Sequence, residues 1–327
     1  MQTQSEGPRL FVALCIFWGG NWLATKGLVM NAPPFASAAS RALLCGAVML
    51  ALAGRTEVRA LFAHAPLRIV AIGLLTSTIC NGAIYWGVAR LSTGLAAIVN
   101  NALTPIGLLL FGYLLGEETL SRRRLAGIAL GVVGLALLFA RRTQGSIDTE
   151  AIAGLAAVAV GTLSYCLGSV WCRPLLRHSG PMAVGGMQML IGGAFLVALS
   201  GAFERPDPGQ LAGMGSPVFL LSLAWTALVG GAAALVIYLR LIRDWGPTRA
   251  GMYAFVTPIV ATALGAAVRG ERLGPLDIAG AVVLLAAAAL VLGVRPATRG
   301  RHAAGLNDAP AAGGGSLRCP SAHRSDP

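Results

Sequence analysis

Long apolar runs, separated by arginines and turn residues, recur along the chain as far as Gly293. They cover residues 9–29, 35–53, 67–88, 93–115, 123–140, 150–171, 181–201, 217–240, 247–268 and 274–294. Each approaches the roughly 20 residues that an α-helix needs to cross about 30 Å of hydrocarbon. The runs are continuous rather than alternating every second residue, which sets aside a transmembrane β-barrel. Pro33-Pro34, Pro66, Pro181, Pro217, Pro247 and Pro275 stand at or near run starts, where a missing N–H is tolerated. The pattern predicts an all-α membrane protein of ten transmembrane helices. From Arg295 the chain turns Ala/Gly/Pro-rich, with Gly313-Gly314-Gly315, and a disordered cytoplasmic tail is expected over 295–327.

An internal repeat organises the ten runs. The stretch beginning at Leu91 aligns without a gap to the stretch beginning at Asp244, at an offset of 153 residues. Thr104 then matches Thr257, Pro105 matches Pro258, Gly112 matches Gly265, Glu118 matches Glu271, Leu120 matches Leu273 and Gly127 matches Gly280. The register reaches back to pair Tyr85 with Tyr238 and Arg90 with Arg243. The boundary falls near 141–149, giving repeats 9–140 and 150–294 with five helices each. Five is odd, so the second copy must cross in the opposite sense. Such inverted repeats are the architecture of alternating-access transporters, with the site near the midplane between halves. With both termini cytoplasmic, fifteen arginines fall on the inner side against seven basic residues outside, as the positive-inside rule asks.

Composition narrows the function classes. The 327 residues are 56% hydrophobic and 12% charged, about half the charged fraction of a soluble domain. The net charge of +12 comes from 24 arginines and the single lysine, Lys26. These sit mainly in loops, where they set orientation, so nucleic acid is not an expected partner. The six cysteines are scattered without metal-ligand spacing and read as small buried hydrophobes. No phosphate loop, nucleophile triad or metal cluster is present in the sequence. Neither an enzyme nor a cofactor or metal is expected. The first run lacks a clear cleavage site and reads as a retained helix.

The segment WGGNWLATKGLVMNAPPFASAASRALLCG, Trp18 to Gly46, resembles the first two helices of the drug/metabolite transporter superfamily: Trp-Gly, then Asn, Lys, a proline loop and Arg. The two Thr-Pro…Gly-Glu helices, each followed by an Ala-Gly helix, resemble that superfamily's paired EamA domains. The resemblance covers about 9–294. It implies ten helices, a bacterial inner-membrane location and transport of small metabolites, often efflux of amino acids or related compounds. The second half departs from the pattern, with Gln188 where the first has Arg41 and Ser164-Tyr165 in place of Trp-Gly.

Candidate chemistry lies in the few polar groups inside the apolar runs. None of the 13 acidic residues falls mid-run. That favours facilitated transport over a proton-coupled antiporter, which needs a titratable group in its path. Trp18, Asn21, Trp22 and Thr25 share one stripe of the first helix, and Thr78, Asn81 and Tyr85 one stripe of the third. Asn100, Asn101 and Thr104 in the fourth precede Pro105. Ser164, Tyr165, Gln188, Tyr238, Tyr253 and Thr257 are the second-half counterparts. These residues either line a wet cavity or hydrogen-bond across helices. Lys26 and Arg41 are expected at the outer mouth, as anion contacts or snorkelling side chains. Pro105 and Pro258 are candidate kinks, flexing or fixed. Gly127, Gly131 and Gly134 allow close helix approach. A monomer is expected, with a homodimer through this face as the alternative. The expected partners are lipid and a small solute, with a zwitterionic or neutral metabolite favoured. A nucleotide-sugar carrier would want several cations at the cavity centre, and a sensor or scaffold would have the cavity plugged.

Overall fold

The computed structural model describes residues 3–139, 149–269 and 274–293. The repeat junction at 141–148, Glu271 and the tail from Arg295 lie outside the described residues. Among the described residues, ten long helical stretches correspond to the ten apolar runs. They are α1 (Glu6–Val29), α2 (Pro34–Leu52), α3 (Pro66–Arg90), α4 (Thr93–Leu114), α5 (Arg122–Phe139), α6 (Thr149–Cys172), α7 (Pro181–Phe203), α8 (Pro217–Trp245), α9 (Tyr253–Arg269) and α10 (Pro275–Leu292). No strand occurs among the described residues. Among the described residues, eight stretches are long and apolar enough to cross a membrane. The other two are α5, which opens on three arginines, and α9, which has 17 residues. Proline occupies the first turn of α2, α3, α7, α8 and α10.

Three local features depart from the expected uniform helices. The run 247–268 divides into a single turn, Pro247–Ala250, and α9, which begins only at Tyr253. The break falls where Gly251 is pressed against the tip of Leu108, leaving no room for a Cβ. Within α3, residues Leu74–Ile79 are π-helical, and within α8 residues Trp225–Ala233 are too. Shifted by the repeat offset of 153, the first π segment falls inside the second. The duplication therefore reaches the backbone hydrogen-bond pattern, and not only the residue types.

The packing follows the repeat. Helix α2 lies against α7, with Gly46 on Leu190, Gly193 on Leu43 and Gly186 on Leu50, so the two run antiparallel. Helix α5 lies against α10 in the same antiparallel way, Gly127 on Val291 and Gly280 on Leu138. These last two contacts become each other under the 153-residue shift. Helix α6 packs on α3 and α4, and its counterpart α1 packs on α8 and α9. Gly127, Gly131 and Gly134 meet Val291, Phe255 and Leu284, so this glycine face is filled within the chain. The outer surface is apolar, with Leu23, Leu67, Val133, Phe203, Leu221 and Val282 all exposed, as expected for a surface solvated by lipid.

Candidate functional site

A cavity of about 120 Å³ opens between the halves. It is built from α1 (Trp18, Asn21, Trp22, Thr25), α2 (Arg41), α3 (Cys80, Asn81, Ile84, Tyr85), α4 (Asn100, Asn101), α6 (Tyr165) and α9 (Tyr253, Thr257). The α1 residues recur every three or four positions, which is why one helical stripe can face the hollow. No Asp, Glu or His is among these lining residues.

Several walls are held by hydrogen bonds to the π segment of α8. Trp18 Nε1 donates to Gly230 O at 2.8 Å, and Arg41 Nε donates to Thr226 O at 3.0 Å. Thr226 and Gly230 both belong to the segment Trp225–Ala233. A π turn shifts the backbone ladder by one residue and is frequent at functional sites. Arg41 Nη1 also donates to Asn81 Oδ1 at 2.8 Å. On the opposite wall, Trp18 meets Tyr253 edge-on with ring centroids 4.3 Å apart, and Tyr238 stacks behind Tyr165 at 5.5 Å. Asn100 accepts from the Thr162 hydroxyl at 3.0 Å. In α4 the missing N–H of Pro105 leaves the carbonyl of Asn101, one of the lining residues, without its helical donor.

Of the fifteen residues expected to line a cavity, the structure brings together Trp18, Asn21, Trp22, Asn81, Tyr85, Asn100, Asn101, Tyr165, Tyr253 and Thr257. The other five lie in helix contacts. Thr78 donates to Gly192 O and Ser164 to Leu75 O, each bridging two helices. Thr104 turns back on Asn100 O, Gln188 accepts from Thr76, and Tyr238 is fully buried behind the aromatic wall. The two cations part company. Lys26 is not among the lining residues: its Nζ donates to Val88 O and Leu91 O at 2.8 and 3.1 Å, closing the end of α3. Arg41 is among the lining residues. Cys80 and Ile84, which carried no polar signal, complete the wall. Thr25 joins them from the α1 stripe. Pro105 and Pro258 both lie inside continuous helices.

Away from the cavity, the turn after α4 is tied down by ions. Gly116 adopts φ +70°, and the chain then presents Glu117 and Glu118 in succession. Glu117 pairs with Arg173 at 2.9 Å and Arg177 at 3.3 Å, both beyond the end of α6. Glu118, with a side chain only 6% exposed, pairs with Arg124 and accepts from the backbone of Thr248. Gly246, at φ +87°, gives it room, since a Cβ there would stand 2.7 Å from Glu118 Oε1. These contacts join the first half to the second. Five cysteines, Cys15, Cys45, Cys80, Cys166 and Cys172, are buried and unbridged.

A duplicated helical scaffold around a polar hollow is now matched from outside the chain. The profile of the EamA-like transporter family matches residues 7–140 and again 152–293. The chain belongs to this family. Among its relatives, "Uncharacterized inner membrane transporter YedA" of Escherichia coli is 29% identical over 283 residues, covering 86% of this chain and 89% of that protein. A "Probable amino-acid metabolite efflux pump" of Salmonella typhimurium is 25% identical over 286 residues, covering 85% and 91%. A chloroplastic WAT1-related protein of Arabidopsis thaliana is 27% identical, covering 84% of this chain and 66% of its own. One solved structure, "Crystal structure of protein", shares the fold with a TM-score of 0.71 at 20% identity, covering 88% and 96%. The protein is a member of a transporter family, with apolar helices that fit a multi-pass membrane protein.

Proposed function

We infer that the protein is a ten-helix inner-membrane carrier that exports small zwitterionic or neutral metabolites, amino acids or their relatives, by alternating access. Its two five-helix repeats cross the bilayer in opposite senses and leave both termini in the cytoplasm. The observation that carries this reading is the cavity: amides, hydroxyls and aromatic rings drawn from both halves face a hollow inside an otherwise apolar bundle. The antiparallel packing of α2 on α7 and of α5 on α10 supports the inverted relation. Polar side chains buried in lipid are costly unless they find partners, and a passing solute with matching donors and acceptors is such a partner. In this reading the ion pairs of Glu117 and Glu118 hold the cytoplasmic end shut, and breaking them accompanies opening to that side. The name carried by the Salmonella relative agrees with an amino-acid cargo. The absence of acids from the lining fits transport down a gradient.

The test is counterflow in proteoliposomes. Vesicles preloaded with a panel of unlabelled amino acids and related neutral metabolites are given the labelled compounds outside. Uptake above that of empty vesicles for at least one member is expected. No counterflow across the panel overturns the carrier reading.

A further inference from the structure

Arg41 stands seven residues into α2, roughly 10 Å along the helix from Pro34. It is the one cation among the lining residues, and its two hydrogen-bond partners are both neutral: the Thr226 carbonyl and the Asn81 side-chain oxygen. Elsewhere in the described chain the partly buried arginines near acids take them. Arg124 takes Glu118, and Arg173 takes Glu117. No carboxylate meets Arg41 among the described residues. A guanidinium held inside a membrane bundle without a counter-ion is expensive, and such a charge persists where something pairs with it.

The geometry also leaves the right donors over. Two of the five guanidinium N–H groups are spent on Thr226 and Asn81, and three remain in a planar fork suited to two oxygens at once. By accepting from Arg41 with its Oδ1, Asn81 has its amide orientation set. Its Nδ2 is a buried donor with no protein partner, in a residue 9% exposed that lines the same cavity. Guanidinium and amide thus belong to two residues that line one hollow, with no acid among the lining residues to repel an anion. The carbonyl of Thr226 that accepts from Nε lies in the π segment, so a backbone group of the second half helps hold the arginine at the site.

We propose that Arg41, with the Asn81 amide, binds a carboxylate group of the transported solute, and that this makes the carrier selective for carboxylate-bearing metabolites over the carboxamides that lack that group. The Trp18–Tyr253 corner then receives the remainder of the solute. The proposal rests on the carrier reading for its word "transported", but the binding site stands or falls separately.

The test uses purified full-length protein and tryptophan fluorescence, since Trp18 and Trp22 line the cavity. Acetate, L-alanine and L-threonine are titrated as carboxylates. L-Alaninamide and L-threoninamide are the carboxylate-free controls, and inorganic phosphate tests a tetrahedral anion. At least one acid is expected to bind about tenfold or more tightly than its amide, as for a charge-assisted pair. Arg41→Gln removes that preference. Asn81→Asp, almost the same size, supplies an internal counter-ion and removes it as well, so the proposal stays open to refutation even if Arg41→Gln fails to fold. No acid preferred over its amide, phosphate bound more tightly than every acid, or a preference surviving Asn81→Asp each overturns the proposal. Counterflow of neutral solutes without any carboxylate preference overturns it while leaving the carrier reading intact. Carboxylate binding that depends on Arg41 without counterflow of any solute does the reverse.

Discussion

Two positions, Arg41 on α2 and Gln188 on α7, correspond in the two repeats and end in opposite circumstances. Each reaches toward the π segment of the other half. Arg41 donates to Thr226 in the segment of α8, and Gln188 accepts from Thr76 in the segment of α3. Arg41 opens onto the cavity, while Gln188 is 1% exposed and closed off by packing. The scaffold is therefore close to two-fold symmetric and its chemistry is not. A carrier with one charged wall and one neutral wall can orient a polar solute, which a chemically symmetric cavity would not do.

Exchanging the chemistry breaks the comparison hardest. Gln188→Arg would bury a guanidinium at a position that is closed off by packing and does not line the cavity. We expect a loss of at least about 3 kcal/mol of stability, seen as a lower melting temperature and loss of monodisperse protein. Normal folding of that variant would mean that α7 hides a second polar space. Next in size is the ion-paired turn after α4. Glu118→Gln leaves Arg124 without its carboxylate and weakens the hold on Thr248, at a cost of about 1–3 kcal/mol. In Thr248→Cys protein, labelling of that cysteine by an impermeant maleimide should rise when Glu118→Gln is added. An unchanged labelling rate would count against a closed end at this turn.

The paired glycines carry a smaller expected effect. A methyl at Gly280 meets the backbone of Leu138 at 2.7 and 2.9 Å, whereas at Gly127 it meets the side chain of Val291 and no backbone atom closer than Ala287 O at 3.3 Å. Gly280→Ala should therefore destabilise by about 1–3 kcal/mol and Gly127→Ala by less, compared by thermal denaturation. Equal costs would mean that the two contacts yield alike. The smallest effect concerns pH. With no Asp, Glu or His among the lining residues, counterflow at pH 6 and pH 8 should agree, and a large difference would bring a titratable group into the path.

The amino-acid sequence alone determined the helices and the duplication. A bilayer demands long apolar runs with polar breaks, so the order of the ten stretches and the boundaries of most were legible, though not the late start of α9, as was the repeat through Thr-Pro and Gly-Glu. The stripe of α1 was legible too, because helical spacing puts Trp18, Asn21, Trp22 and Thr25 on one face. Which polar groups of the other helices face the hollow was decided only by tertiary structure. Thr78 and Asn81 are three residues apart on one helix, yet Thr78 ends on Gly192 and Asn81 in the cavity. The small rotation between them depends on how α3 seats on α7 and on the π turns that shift its register. A π turn is settled by contacts from distant helices, such as Ser164 on Leu75 or Arg41 on Thr226, and no local run of residues encodes it.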